Sequence, residues 1–182
     1  MRVLIVYGTT EGHTRALCHF AARSLSEAGF PTAVEPAESG ASLPVLAPYD
    51  AVILAASIHV GRYQPPLVTF AREQHEVLNA KPAAFISVSL SAAGITPPDW
   101  ETCDDCIARF QHETLWTPKA VHKAAGAIRY SQYDFFKRLA LKFIAAERGL
   151  TAVTSRDYDM TDYAALREFV TGFVGEAKAA AR

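Results

Sequence analysis

One α/β domain with a doubly wound parallel sheet is predicted by two observations. Short, branched, continuously apolar runs recur at Val3-Leu4-Ile5-Val6, at 50–57 (DAVILAAS) and at 82–90 (PAAFISVSL), as expected of strands covered on both faces. Between them lie stretches with apolar residues at helical spacing, such as Leu17, Phe20, Ala21 and Leu25, and this alternation favours parallel pairing with helices on both sides. Size agrees, since 182 residues with 50% hydrophobic and 20% charged content fill one core and are few for two.

The first strand is expected over 2–7, followed by a helix over 14–28 that Gly29 closes. A weaker strand at 32–37, a strong one at 50–57, a helix at 66–78 and a strand at 82–90 follow. Beyond Leu90 the pattern is broken by Thr96-Pro97-Pro98, then reads as helix over 100–112, extended over 121–130 and helix over 133–146. An extended piece at 153–158 and a closing helix at 162–178 complete the order, with fraying expected in the Ala-rich tail after Glu176. No internal repeat is visible, so the expectation is a single domain over 1–182 with a substrate-side segment at about 91–130.

Charge and cysteine usage exclude several classes. Eighteen Lys and Arg against 19 Asp and Glu give a formal charge of -1, which provides no field to draw a nucleic acid. Three cysteines, Cys18, Cys103 and Cys106, do not make a secreted disulfide framework. The N-terminus lacks the basic region and apolar run of a signal peptide, and no stretch reaches the ~20 apolar residues that span a bilayer. A cytoplasmic location is therefore expected.

The junction of the first strand and first helix, Tyr7-Gly8-Thr9-Thr10-Glu11-Gly12-His13-Thr14, concentrates donors. Helix-start amides with the hydroxyls of Thr9, Thr10 and Thr14 suit a phosphate, and the two glycines let the chain fold closely around it. The nucleoside-triphosphate loop needs four residues between its glycines and a lysine after the second, whereas Gly8 and Gly12 enclose three and His13 takes the lysine's place. The dinucleotide fingerprint needs glycine where Thr10 stands. A single terminal phosphate remains. Simple helix capping by Thr9 or Thr10 is the plainer alternative, but one hydroxyl suffices for that and three are present. Glu11 is expected to turn its carboxylate away and offer only its backbone N–H.

The turn Thr9-Thr10-Glu11-Gly12-His13-Thr14 resembles the phosphate loop of the flavodoxin superfamily. Three later blocks narrow the likeness: Ala56-Ser57-Ile58-His59-Val60-Gly61-Arg62-Tyr63, Gly126-Ala127-Ile128-Arg129-Tyr130, and 154–163 (TSRDYDMTDY). With these the chain resembles, over nearly its whole length, the flavodoxin-type protoporphyrinogen oxidases, which are quinone-dependent dehydrogenases. The resemblance implies a flavodoxin-like five-stranded sheet of order 2-1-3-4-5, with FMN held after strands 1, 3 and 4. The phosphate then falls on 9–14 and one side of the flavin ring on Ser57, Ile58, His59, Val60, Gly61, Arg62 and Tyr63. The other side falls on Ser89, Leu90, Ser91, Ala92 and Gly94. Gly61 makes independent sense there, because it lets backbone approach a flat ring.

The implied activity is oxidation of protoporphyrinogen IX, a heme-biosynthesis step, in three two-electron steps with a quinone as final acceptor. Flavin carries that chemistry, so no acid/base constellation is required; His59 is the one weak catalytic candidate, as a proton shuttle. Alternatives are an electron-carrier flavodoxin or general quinone reductase, and a flavin-free interaction domain. Members of the family tend to have a basic loop after strand 4, suited to propionates, whereas Asp99, Glu101, Asp104 and Asp105 make it acidic here. Either Lys119, Lys123, Arg62 and Arg129 compensate, or the substrate differs.

Other features carry plainer readings. Cys103 and Cys106, at i and i+3 of a helix, lack the spaced partners of a zinc site, as do His112 and His122, so no metal is expected. His13 is either a phosphate contact or an ordinary loop histidine, and Tyr63 and Trp100 either stack on a ligand or simply pack. The helix over 133–146 carries Phe135, Phe136, Leu139, Phe143 and Ile144 on one stripe, and 129–148 has five basic residues against Asp134 and Glu147. Such a helix suits peripheral contact with the inner face of a membrane, although any sheet-packed helix has an apolar stripe.

Overall fold

The computed structural model describes residues 1–38, 44–93, 102–128 and 158–181. Strands β1 (Val3–Gly8), β2 (Thr32–Pro36), β3 (Ala51–Ser57), β4 (Ala83–Ser89) and β5 (Ala120–Ala125) form a five-stranded sheet of order β2-β1-β3-β4-β5. Every neighbouring pair is parallel, with Val3 opposite Thr32 and Ala51, Val52 opposite Ala83, and Ala84 opposite Ala120. β6 (Ala127–Ile128), which follows β5 in the chain, pairs antiparallel with β7 (Tyr158–Asp159) in a separate two-stranded sheet.

The three inner strands β1, β3 and β4 are buried almost throughout because both faces are covered, and alternate residues serve different cores. Val3, Ile5, Ile53 and Ile86 pack with Leu17 and Leu25 of α1 (His13–Glu27) and with Leu166 and Val170 of α5 (Tyr163–Ala180). Leu4, Val6, Leu54 and Phe85 pack with Leu67 and Phe70 of α2 (Pro65–Glu73) and with Ile107 and Phe110 of α4 (Cys103–Thr114). The expected helix over 66–78 is two: α2 ends at Glu73 and α3 (His75–Ala80) begins after Gln74, whose φ of -104° and ψ of 10° leave the helical region. The closing helix continues past Glu176 to Ala180. The helix expected over 133–146, with Gly94, Asp99, Trp100, Glu101, Arg129 and Tyr130, lies outside the described residues. No described helix is long and apolar enough to cross a membrane.

The outer strand β5 carries a titrating contact. His122 stacks on Phe169 of α5, with centroids 5.0 Å apart and planes 24° from parallel. Burial there lowers its pKa, with the Asp162 carboxylate opposing in part. The folded state thus takes up the proton less readily than the unfolded chain, whose histidines titrate near ~6.5. The stability from neutral His122 is complete above that pH and lost as pH falls through the lower, folded value. Urea unfolding should therefore show stability declining as pH drops below ~6.5, and His122→Phe should flatten that decline. An unchanged slope in the variant would dismiss this contact as its source.

Candidate functional site

The connections leaving β1 and β3 depart to opposite faces, α1 to one and α2 to the other. In an open parallel sheet such a switch point opens a crevice beyond the carboxyl ends of the strands. Gly8 pairs with Ala56, Ser57 with Val88, and Ser89 with Ala125, so the loops that follow β1, β3 and β4 emerge side by side. The first two are tied directly, because the Gln64 amide donates to Thr10 Oγ1 at 3.1 Å and to Ser57 Oγ at 3.0 Å. Gln64 was not among the residues expected here; its position, extended and just before Pro65 at the start of α2, marks it only as a helix boundary. Gly8 lets this happen, since a Cβ on it would meet Gln64 Cβ at 3.0 Å and Leu67 Cβ at 3.2 Å.

Within the first loop, Thr9 Oγ1 accepts the Gly12 N–H at 2.9 Å. Gly12, at φ 81°, precedes α1 in the left-handed region that a glycine adopts freely, and no side chain caps the helix there. Helix capping by a threonine is therefore not what these hydroxyls do. Thr14 is fully buried in the first turn, and its Oγ1 has no hydrogen-bond partner. Buried polar atoms are rarely left so, and an acceptor placed at the helix start satisfies both the hydroxyl and the first-turn amides. Glu11 is half-buried.

The His13 ring meets residues far along the chain. Its Nε2 lies 3.0 Å from Thr161 Oγ1 and 3.7 Å from Asp159 Oδ1, while Thr161 donates to the Ala125 carbonyl at 2.8 Å. The Tyr163 hydroxyl donates to Asp159 Oδ2 at 2.5 Å. Burial pushes the Asp159 carboxyl up, but hydrogen bonds from the Tyr163 hydroxyl and the Thr161 N–H, with the His13 charge, bring it below its ordinary value. The first loop is thereby latched to β7 and to the start of α5.

The second loop is a narrow turn. His59 N–H donates to the Arg62 carbonyl at 2.8 Å and Arg62 N–H returns to His59 at 3.1 Å. Both central residues have positive φ, 49° at Val60 and 73° at Gly61, as a two-residue turn of this hand requires. For a β-branched residue that region costs about 1–3 kcal/mol, yet Val60 is held there and 76% exposed at the tip. The turn is braced from beneath: the Gly61 carbonyl accepts from the Arg109 guanidinium and from the Cys106 thiol. Ile58 N–H donates to the Val88 carbonyl at 2.8 Å, joining the turn to β4.

Tyr63 is a correction to the expectation that it lines the ligand. It is 6% exposed, its ring edge-on to Phe85 and Phe110 at 5.2 and 5.1 Å. Its hydroxyl lies 2.7 Å from Ser87 Oγ, which in turn lies 3.2 Å from Cys103 Sγ. The ring follows the hydrophobic effect inward because the hydroxyl finds a partner there. Cys103 and Cys106 are buried in the same core, and among the described residues no group of three or more His, Cys, Asp or Glu comes together as metal ligands do.

The third loop begins with Ser89, whose Oγ accepts the Ala92 N–H at 3.1 Å and lies 3.0 Å from Ser91 Oγ in the short 3₁₀ turn Ser91–Ala93. Leu90 is half-buried and its carbonyl accepts from Ala93. Two of the four acidic residues beyond this loop have local duties. Asp105 reciprocates with Thr102 in a capping box at the start of α4, and the Thr102 hydroxyl and N–H hold its carboxyl below the usual range. Asp104 pairs with Lys123 at 2.6 Å. Lys123 is thus taken up by Asp104 of the acidic segment itself.

Comparison with known proteins accords with this geometry. Residues 4–154 match the model of a family described as a flavodoxin domain. A protein of Leishmania major named protoporphyrinogen IX dehydrogenase (quinone) is 33% identical over 173 residues, 94% of this chain and 74% of the relative. One of the same name from Escherichia coli strain K12 is 29% identical over 171 residues, 93% of this chain and 92% of the relative. Among solved structures, oxidised Flavodoxin 1 from Bacillus cereus superposes with a TM-score of 0.58 at 16% identity, covering 96% of this chain and 98% of its own. A flavodoxin from the domain Archaea gives 0.54 at 14%, covering 98% and 99%. These two show the fold, and the strand order implied by the family resemblance is the one observed.

Proposed function

The chain belongs to the flavodoxin domain family, and from that premise we propose that it binds FMN and oxidises a porphyrinogen, delivering the electrons to a quinone. The observation that carries the cofactor reading is the buried, unpartnered hydroxyl of Thr14 beside an uncapped helix start. A phosphate monoester supplies the missing acceptor, and the Thr10 hydroxyl and the amides of Glu11 to Thr14 are at hand to share it. Ser57 to Arg62 would border the ring on one side, with the Gly61 backbone free to approach, and Ser89 to Ala92 would border it on the other. Bound FMN supplies acceptance of a hydride or of single electrons. The protein's own contributions are positioning and exclusion of water, and His59, beside the turn tip, is placed to exchange protons with solvent. The substrate class rests on the names of relatives that align over nearly the whole chain.

Purified protein should be yellow and release FMN, not FAD, on heating. Porphyrin fluorescence should then rise faster than the spontaneous rate when protoporphyrinogen and a menaquinone analogue are added. Flavin without turnover would reduce the assignment to an electron carrier, and a colourless protein that takes up no FMN would remove the cofactor.

A further inference from the structure

Next to the turn at 59–62 a groove of ≈ 250 Å³ runs between α2 and α4. It is lined by Arg62 from the turn, by Val68 and Arg72 from α2, and by Arg109, Phe110 and Glu113 from α4. Residues 65, 68, 69 and 72 share one side of α2, as 106, 109, 110 and 113 share one side of α4, at the spacing that puts helical neighbours together. Among the described residues three guanidiniums therefore line the groove with one carboxylate, that of Glu113, which lies 4.0 Å from Arg109 Nε. Arg109 also reaches the Gly61 carbonyl. Among the described residues, the exposed side chains of Arg62 and Arg72 have no hydrogen bond or ion pair.

We propose that this arginine groove binds the carboxylate side chains of the substrate, an inference that rests on the porphyrinogen reading and deepens it. Guanidinium forks match carboxylates in a planar, two-bonded geometry that an ammonium does not offer. The volume decides how much of the substrate enters. It falls below the ~300–1,000 Å³ of clefts that enclose a whole drug-sized ligand, so the groove takes the acid side chains while the macrocycle lies across the turn at 59–62. Val68 and Phe110 supply apolar wall for the methylene stems. This arrangement also accounts for an acidic segment after β4: the positive charge that acid groups require is carried by α2 and α4 instead.

The test compares protoporphyrinogen IX with its dimethyl ester, using FMN-loaded wild-type protein and Arg72→Gln and Arg72→Glu variants. Arg72 stands at the end of α2, apart from the three loops of the flavin site, so FMN content serves as a check on folding. Arg72→Gln should raise KM for the diacid about fivefold and Arg72→Glu more than tenfold, with KM for the ester unmoved in both. A tenfold change corresponds to about 1.4 kcal/mol. Equal KM for the diacid in wild type and variants, or equal shifts for acid and ester, would overturn the groove while leaving the enzyme assignment standing. Absence of porphyrinogen turnover in wild type would overturn both.

Discussion

Thr14→Val should weaken FMN binding by about ten- to hundredfold while making the apoprotein more stable. The two effects have one cause. The Thr14 hydroxyl is buried with no partner, and a buried unsatisfied polar group costs about 1–3 kcal/mol. Valine keeps nearly the same shape and removes that cost, so apoprotein stability should rise by about 1 kcal/mol, or ~2–4 °C in Tm for a domain of this size. With FMN bound, the same hydroxyl becomes a donor to a charged phosphate, worth about 1.5–3 kcal/mol, and valine forfeits it. Thermal unfolding with and without FMN, together with fluorescence titration of apoprotein by FMN, measures both arms. A variant that loses stability as apoprotein and binds FMN as tightly as wild type would show that the hydroxyl serves packing rather than phosphate.

The largest stability loss should come from Phe110→Ala. Phe110 is 2% exposed and joins two helices to the sheet, stacked on Phe85 at 4.7 Å with Tyr63 and Trp116 edge-on at 5.1 and 6.0 Å. Truncating a buried phenylalanine costs about 3–5 kcal/mol, a large part of the ~5–15 kcal/mol that holds a domain folded. The expected fall in Tm is about 6–20 °C. Tyr63, beneath the turn at 59–62, loses one of its ring partners, so FMN affinity should fall as well, although Phe110 is no part of the loops. Leu115→Ala supplies the control: Leu115 is 64% exposed one turn away and should change stability by no more than about 0.5 kcal/mol. Comparable losses in the two variants, measured by urea unfolding, would refute the packing argument.

Much of this was legible in the sequence, for reasons particular residues make plain. Val3 to Val6 and 51–57 read as strands because covering both faces removes the need for polar residues. The gathering of hydroxyls and helix-start amides in the first loop was visible because those donors are contiguous in the chain. The break at Gln74 was not legible, since apolar spacing continues across it through Phe70, Ala71 and Leu78. Nor was the inward turn of Tyr63, because an aromatic two positions after a glycine suits a ligand wall as well as a core until Ser87 Oγ is seen 2.7 Å from its hydroxyl.

Local pattern alone determined the strand–helix order around the five-stranded sheet and the place of the first loop, since each depends on residues within a few positions of one another. Tertiary structure decided the rest. The amide of Gln64 meets Thr10 across 54 positions, His13 meets Thr161 across 148, and Arg62 and Arg72 face Arg109 only because α2 and α4 cover the same side of the sheet. Periodicity states which face of an element is apolar; it carries no information about which other element will cover that face. That follows from the sheet order and from the directions in which its crossovers leave, and those settle which distant polar groups end up side by side.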